Sequence, residues 1–207
     1  MPPRFPVYLF DVDGTIMDSA PDICAAQIEL FKSYGRDVSP AFLRRYIGFH
    51  LTDLFRDLGF PEEAVESLIV EYRTIYWDRK HAATRVYPGV AEMLAALGGR
   101  KSTATTKTTR TTRGILEQFG LLQHFEHVQG TDGFPAKPEP DVILACLKAL
   151  GAPPEECLLV GDSAADMEAG RRAGVRLCAV RWGYGDVDAM EKWKPDYWID
   201  RPAELLT

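Results

Sequence analysis

Four apolar residues, Val7-Tyr8-Leu9-Phe10, run straight into Asp11-Val12-Asp13-Gly14-Thr15, and this junction constrains the chain more than any other part of it. An apolar run bounded by a turn signal reads as a short buried strand. Two carboxylates two residues apart at its end, with Gly immediately after, make a compact anionic site on backbone that has just left a sheet. Such a site suits a hard cation such as Mg²⁺, and one of its carboxylates can serve as a nucleophile. Asp-Gly is also a common turn dipeptide, so the meaning of the junction depends on which residues stand at the ends of the other strands.

Downstream of the junction, residues 18–85 read as helical throughout. Asp18-Ser19-Ala20-Pro21-Asp22 carries capping residues and an early Pro, a helix start. Ile23, Ala26, Gln27, Leu30 and Phe31 then form one mostly apolar stripe. Further starts stand at Ser39-Pro40 and Pro61-Glu62-Glu63, with an amphipathic face of Leu51, Leu54, Phe55 and Leu58 between them. After Tyr87-Pro88-Gly89 the pattern changes. Helical segments near 90–97, 110–119, 140–150 and 164–173 alternate with strand segments near 102–105, 128, 157–160 and 175–180. The tail adds a short helix near 187, a strand at 197–199 and a last turn at 203. Strands alternating with helices imply a mostly parallel sheet covered on both faces. The expected fold is therefore α/β: a doubly wound, Rossmann-like core of residues 1–17 and 86–207, with an inserted α-helical cap domain at 18–85.

The 207 residues suffice for such a core with one small appended domain. A net charge of −6 lacks the basic footprint of a nucleic-acid binder. No apolar run approaches membrane-spanning length, and residues 1–6 lack the apolar stretch of a secretory signal. A cytoplasmic protein with neither nucleic-acid nor membrane partner is expected. Cys24, Cys146, Cys157 and Cys178 are widely spaced without a Cys-x-x-Cys; the last three lie in apolar contexts and read as small buried hydrophobes. His124-x-x-His127 lacks two further ligands at sensible spacing and reads as structural.

In an open parallel sheet, ligands bind beyond the carboxyl ends of the strands. Asp11 and Asp13 come after the first predicted strand, and Thr105-Thr106-Lys107 after the second clear one. Gly161-Asp162-Ser163-Ala164-Ala165-Asp166 comes after the strand at 157–160, and Lys137 lies in a loop before a helix. If the fold holds, carboxylates, hydroxyls and an ammonium meet at one sheet edge, a set suited to phosphoryl transfer. Asp11 and Asp162 can hold Mg²⁺. Asp11 can accept a phosphoryl group, and Asp13 can act as general acid and base. Thr105 and Lys137 can neutralise charge on the phosphoryl oxygens. Each residue alone also has an ordinary explanation; Asp162-Ser163, for example, reads equally as a helix cap.

With these residues in hand, the chain resembles the haloacid dehalogenase superfamily of phosphatases, and within it the phosphoglycolate phosphatase-like group with a helical cap. The resemblance spans nearly the whole chain. It implies Asp11 as nucleophile and Asp13 as acid/base, with Asp13 giving Mg²⁺ its main-chain carbonyl. It implies Thr105, Thr106 and Lys137 at the substrate phosphate, and Asp162 and Asp166 completing the metal site with Asp11 and Asp13. Thr106 departs from the Asn often found there. Arg44, Arg45 and His50 lie where such a cap approaches the site. The resemblance makes phosphoglycolate the best single expectation among small phosphorylated metabolites, acted on by a monomer or homodimer. A nucleotide, sugar phosphate or pyrophosphate is the close rival, and a phosphomutase is a further alternative. A phosphoacceptor regulatory module is the alternative of another class, against which the acid/base at Asp13 and the helical insert both speak.

Overall fold

The structure, a computed structural model, describes residues 2–206. Strand β1 (Val7–Phe10) is buried along its whole length and alternates its side chains between two cores. Tyr8 and Phe10 enter the core shared with the helical insert, whereas Val7 and Leu9 enter the core on the opposite face of the sheet. After the acidic turn come β2 (Met17–Asp18), α1 (Ala20–Ser33), α2 (Pro40–Arg44), α3 (Leu51–Asp57), α4 (Glu62–Asp78) and β3 (Arg85–Val86). The remainder alternates: α5 (Val90–Ala96), β4 (Arg100–Ala104), α6 (Thr109–Gln118), β5 (His127–Gln129), α7 (Asp141–Leu150), β6 (Cys157–Gly161), α8 (Ala164–Ala173), β7 (Arg176–Val180), α9 (Val187–Glu191) and β8 (Tyr197–Ile199).

Six of these strands form one parallel sheet in the order β5-β4-β1-β6-β7-β8. From β1 the chain winds outward through β4 to β5, then returns to β6 beside β1 and winds the other way. The reversal falls between β1 and β6, the place where an open α/β sheet leaves a crevice at its carboxyl edge. This is the expected doubly wound α/β fold, and the strand-by-strand reading of residues 90–199 agrees with it to within a few residues.

One local feature differs from expectation. The sequence pattern makes residues 18 and 85 the ends of a continuous helical stretch, but Met17–Asp18 and Arg85–Val86 pair as a short antiparallel ladder. The two chain crossings into and out of the helices are thereby tied side by side. A two-residue ladder has no room for period-2 patterning, so nothing in the sequence announces it.

The insert holds together through its own aromatic cluster. Phe31 of α1, Phe55 of α3 and Phe60 contact one another with ring centroids 5.9–6.0 Å apart. Such pairs contribute about 0.5–1.5 kcal/mol each beyond the area they bury. The four cysteines are buried and free. His127 Nδ1 lies 2.9 Å from Ser102 Oγ, consistent with a structural role. Among the described residues, no helix is long and apolar enough to cross a membrane.

Candidate active site

The acidic turn after β1 is built by backbone before any side chain acts. Asp11 N–H donates to Val160 O at 2.9 Å, extending the β1–β6 ladder by one residue and placing Asp11 at the reversal point. Gly14 adopts φ +92°, a region disfavoured for residues with a Cβ. A Cβ there would also stand 2.2 Å from Asp162 Oδ2. Gly14 therefore lets the first turn close directly over the carboxylate at the end of β6.

Asp11, Asp162 and Asp166 converge, each buried, with carboxylate oxygens all within 4.8 Å of one another. Lys137 is buried with them. Its ammonium donates to Asp11 Oδ1 at 2.7 Å, Asp166 Oδ1 at 2.5 Å and Ala104 O at 2.9 Å. Lysine has three donors, and here each has a protein acceptor. Asp166 is also held from the other side, because its Oδ2 accepts from Ser163 N–H at 3.0 Å and from Ser163 Oγ–H at 2.5 Å in a capping box at the start of α8. Asp162 accepts from Thr15 Oγ1 at 2.9 Å and from Tyr184 N–H at 2.8 Å.

The charge balance of this cluster is unequal, with three carboxylates around one ammonium. Burial raises the Asp11 carboxyl well above the ordinary carboxylate range, with Lys137 opposing and Asp166, Asp162 and Asp13 reinforcing the rise. Burial and Asp166 likewise raise Asp162. Burial alone would lower Lys137, but Asp11 and Asp166 outweigh it and hold the ammonium above its usual range. A donor set of buried oxygens carrying excess negative charge is what a hard divalent cation requires. The residues therefore fit Mg²⁺, with Asp11 and Asp162 having fewer protein partners than Asp166.

Asp13 lies apart from this trio. Its side chain accepts from Ser19 Oγ and pairs with Lys107 Nζ at 2.8 Å. Burial would lower Lys107, but Asp13 outweighs it and the ammonium is raised. Thr105 sits fully buried one residue past β4, and its Oγ1 accepts from Lys107 N–H at 3.4 Å. Thr106 falls elsewhere. It lines a small cavity under the insert together with Asp13 and Lys107, not the cleft that holds Asp11 and Asp162.

That cleft, of about 260 Å³, runs between sheet edge and insert, with Arg44, Arg45 and Gly48 opposite the carboxylates. His50 faces the small cavity instead, its ring Nδ1 beside Thr52 Oγ1 at 2.8 Å, and burial lowers its pKa. Residues 182–185, which the sequence reads as a glycine-bearing loop after a strand without deciding whether it borders the site, wrap Asp162. A Cβ on Gly183 would stand 2.3 Å from Asp162 Cβ, and one on Gly185 1.8 Å from Asp162 O. Trp182 Nε1–H donates to Thr15 O at 3.0 Å, and Tyr184 OH to Asp18 Oδ1 at 2.7 Å. The paired glycines are the available signal for this close approach. Ser19 and Lys107, the partners of Asp13, give none beyond their neighbours.

The family model described as haloacid dehalogenase-like hydrolase matches residues 8–180. The chain belongs to the haloacid dehalogenase-like hydrolases. It is 34% identical to a phosphoglycolate phosphatase of Aquifex aeolicus, over 97% of this chain and 94% of that one. It is 35% identical to a tyrosine-protein kinase, PtkA, of Mycobacterium tuberculosis, over 89% of this chain and 65% of that protein. Among solved structures, a haloacid dehalogenase-like hydrolase from Streptococcus pneumoniae superposes with a TM-score of 0.89 at 25% identity, covering 98% of this chain and 97% of that one. The family and these likenesses agree with the expected enzyme class, a phosphatase of the haloacid dehalogenase-like hydrolases.

Proposed function

We propose that the chain is a Mg²⁺-dependent phosphatase that hydrolyses a small phosphomonoester through an aspartyl-phosphate on Asp11. In this reading residues 1–17 and 86–207 are the catalytic core and 18–85 the cap. The observation that carries it is the division of labour between two neighbouring aspartates. Asp11 sits in the metal-competent trio, while the Asp13 carboxylate, two residues on, is engaged by Ser19 and Lys107 and lines the same cleft.

Asp11 attacks phosphorus with its carboxylate oxygen as the ester P–O bond breaks, and Asp13 gives its proton to the departing alkoxide. Water then attacks the acyl phosphate, Asp13 takes its proton, and Asp11 is regenerated with release of phosphate. Lys137 keeps Asp11 aligned and supplies positive charge beside the phosphoryl oxygens; since its donors are already taken, it acts on phosphate chiefly by charge. Thr105, at the end of β4, supplies the hydroxyl of the phosphate site. Mg²⁺, held by Asp11 and Asp162 with Asp166 in support and the Asp13 carbonyl that the family resemblance implies, would neutralise charge on the transferring group.

The relative named as a phosphoglycolate phosphatase makes phosphoglycolate the first candidate substrate. The test is Mg²⁺-dependent phosphate release across a panel of phosphorylated metabolites, with Asp11→Asn as the blank. A preferred monoester, inert with the variant, supports the reading; release that survives Asp11→Asn overturns it.

A further inference from the structure

Asp13 serves the reaction above as acid and base, so its carboxylate must be held where it reaches first the leaving oxygen and then the attacking water. Two side chains engage it. Ser19 Oγ–H donates to Oδ1, and Lys107 Nζ pairs with Oδ2 at 2.8 Å. A carboxylate has about four lone-pair sites, so two partners fix its plane and leave sites for the proton it handles. Ser19 stands at the start of α1, on the way into the insert. Lys107 comes from the core, in the loop after β4.

Lys107 lines the small cavity under the insert and not the cleft that holds Asp11 and Asp162, whereas Asp13 lines both. Its route to the reacting atoms is therefore through Asp13. On its other side the ammonium lies 4.7 Å from the centroid of the Tyr76 ring, a cation–π contact that crosses from core to insert. Tyr76 belongs to α4, is only 3% exposed, and stacks on Tyr72 with centroids 5.8 Å apart. Its hydroxyl has no hydrogen-bond partner, so the ring and not the hydroxyl makes the contact. Gln27 Oε1 lines the same cavity as a buried acceptor without a partner.

We propose that Lys107 is a positioning residue for Asp13: seated against the Tyr76 ring, it holds the acid/base at the boundary between core and insert. The inference rests on the phosphatase reading above and adds a residue that acts through Asp13. Ion pairs exposed to solvent contribute little, but here the Lys107 side chain is 11% exposed and that of Asp13 6%. A lysine stem is flexible, and the ring limits where its head can rest. Without the ammonium, the Asp13 carboxylate is tied by Ser19 alone and can turn about its Cβ–Cγ bond. A displacement of about 1 Å at a reacting group costs up to about 10²-fold in rate.

The experiment compares kcat/KM for phenyl phosphate and p-nitrophenyl phosphate, two esters of similar shape. Phenolate needs a proton to leave readily and p-nitrophenolate does not. Their ratio therefore reads proton delivery and cancels any loss of folded protein or of phosphate binding. The cleft of about 260 Å³ has room for the ring, since a cavity of about 150 Å³ takes benzene. Ethyl and trifluoroethyl phosphate give the same comparison without a ring. Lys107→Met should raise the p-nitrophenyl-to-phenyl ratio at least about tenfold, a part of what a general acid contributes. Tyr76→Leu should raise it by about threefold or more, and Tyr76→Phe, which keeps the ring, should restore the wild-type ratio. In an Asp13→Asn background, Lys107→Met should change the ratio no further. An unchanged ratio in Lys107→Met or in Tyr76→Leu, or a Lys107→Met effect that persists in full without Asp13, would overturn the assignment and leave the phosphatase reading standing. Should Lys107→Met not fold, the two Tyr76 variants decide. Absence of phosphate release from every ester, phosphoglycolate included, would remove that reading, and this inference with it.

Discussion

The carboxylate cluster at the strand ends and the helical face above it differ in how completely their polar atoms are paired. In the cluster Lys137 has three acceptors, Asp166 is held on both oxygens, and Asp162 takes one donor on each oxygen. On the helical side, the buried atoms left without a hydrogen bond include Asp22 Oδ1, Gln27 Oε1, Tyr76 OH, Arg79 Nε and His81 Nε2, and all of these belong to residues 22–81. Arg79 Nε and Asp22 Oδ1 stand 3.6 Å apart as an ion pair, so Gln27, Tyr76 and His81 are the ones with open valences. Fully paired groups are fixed before a ligand arrives, which electrostatic preorganisation requires. The paired cluster and the unpaired helical face thus lie apart in space, and Asp13 lines the cavities beside both.

That separation fails most visibly if a change in the cluster proves mild. Asp11→Asn removes the proposed nucleophile and should cost at least about 10⁴-fold in turnover, as loss of a catalytic nucleophile does elsewhere. A loss no larger than that of a cap variant would mean Asp11 is not the attacking group. Lys137→Met should show the stability side of the same contrast. It strands two buried carboxylates, and removing one partner of a buried ion pair costs about 3–5 kcal/mol. At this chain length that is a fall in Tm of roughly 10 °C, read by thermal unfolding. An unchanged Tm would show that the cluster is less strongly coupled than its distances indicate.

The same divide governs how much of the molecule is legible in its sequence. The cluster is legible because most of its members stand directly after a strand, and strand ends are marked by apolar runs that stop abruptly. Thr105 and Asp162 need only that placement, and Asp166 the helix start that follows it. Lys137 is legible as a member, but not the fact that its donors end on protein, because that depends on how closely α8 and the β4 end approach. Gln27 illustrates what stays hidden. It sits in an otherwise apolar stripe of α1, where a sequence pattern reads it as a tolerated polar residue at the stripe's edge. Its significance arises only when α4 brings Tyr76, and the β4 loop brings Lys107, to the same cavity. Thr106 shows the same limit from the other direction. Adjacency to Thr105 suggests the phosphate; the wall of the small cavity that Thr106 shares with Asp13 and Lys107 is visible only in the folded chain.

The boundary at Asp13 can be sharpened with metal as the probe. Mg²⁺ at about 100 times its Kd should stabilise the wild-type protein by about 2.7 kcal/mol. That corresponds to a rise in Tm of about 5–10 °C. Asp162→Asn should abolish the rise, because it removes a carboxylate of the trio. Asp13→Asn should keep it, because its side chain is engaged by Ser19 and Lys107. If both variants lost the response, the Asp13 carboxylate would be a ligand and the division between the two aspartates would be wrong.

The smallest expected effect comes from a glycine pair with similar backbone and opposite surroundings. Gly14 at φ +92° and Gly35 at φ +67° both occupy conformations that an alanine resists, at a cost of about 1–2 kcal/mol. Around Gly35 a Cβ would meet nothing within 4 Å, whereas at Gly14 it would strike the Asp162 carboxylate. Gly35→Ala should therefore lower Tm by only a few degrees (about 2–4 °C per kcal/mol) and leave kcat/KM unchanged. Gly14→Ala should add to the same backbone cost a displacement of Asp162, and with it the loss of activity and of the Mg²⁺ response. The pair isolates side-chain collision from backbone strain. If Gly35→Ala also lowered kcat/KM, strain at the end of α1 would be reaching Gln27 along the helix, and the helical face would be mechanically continuous with its own periphery.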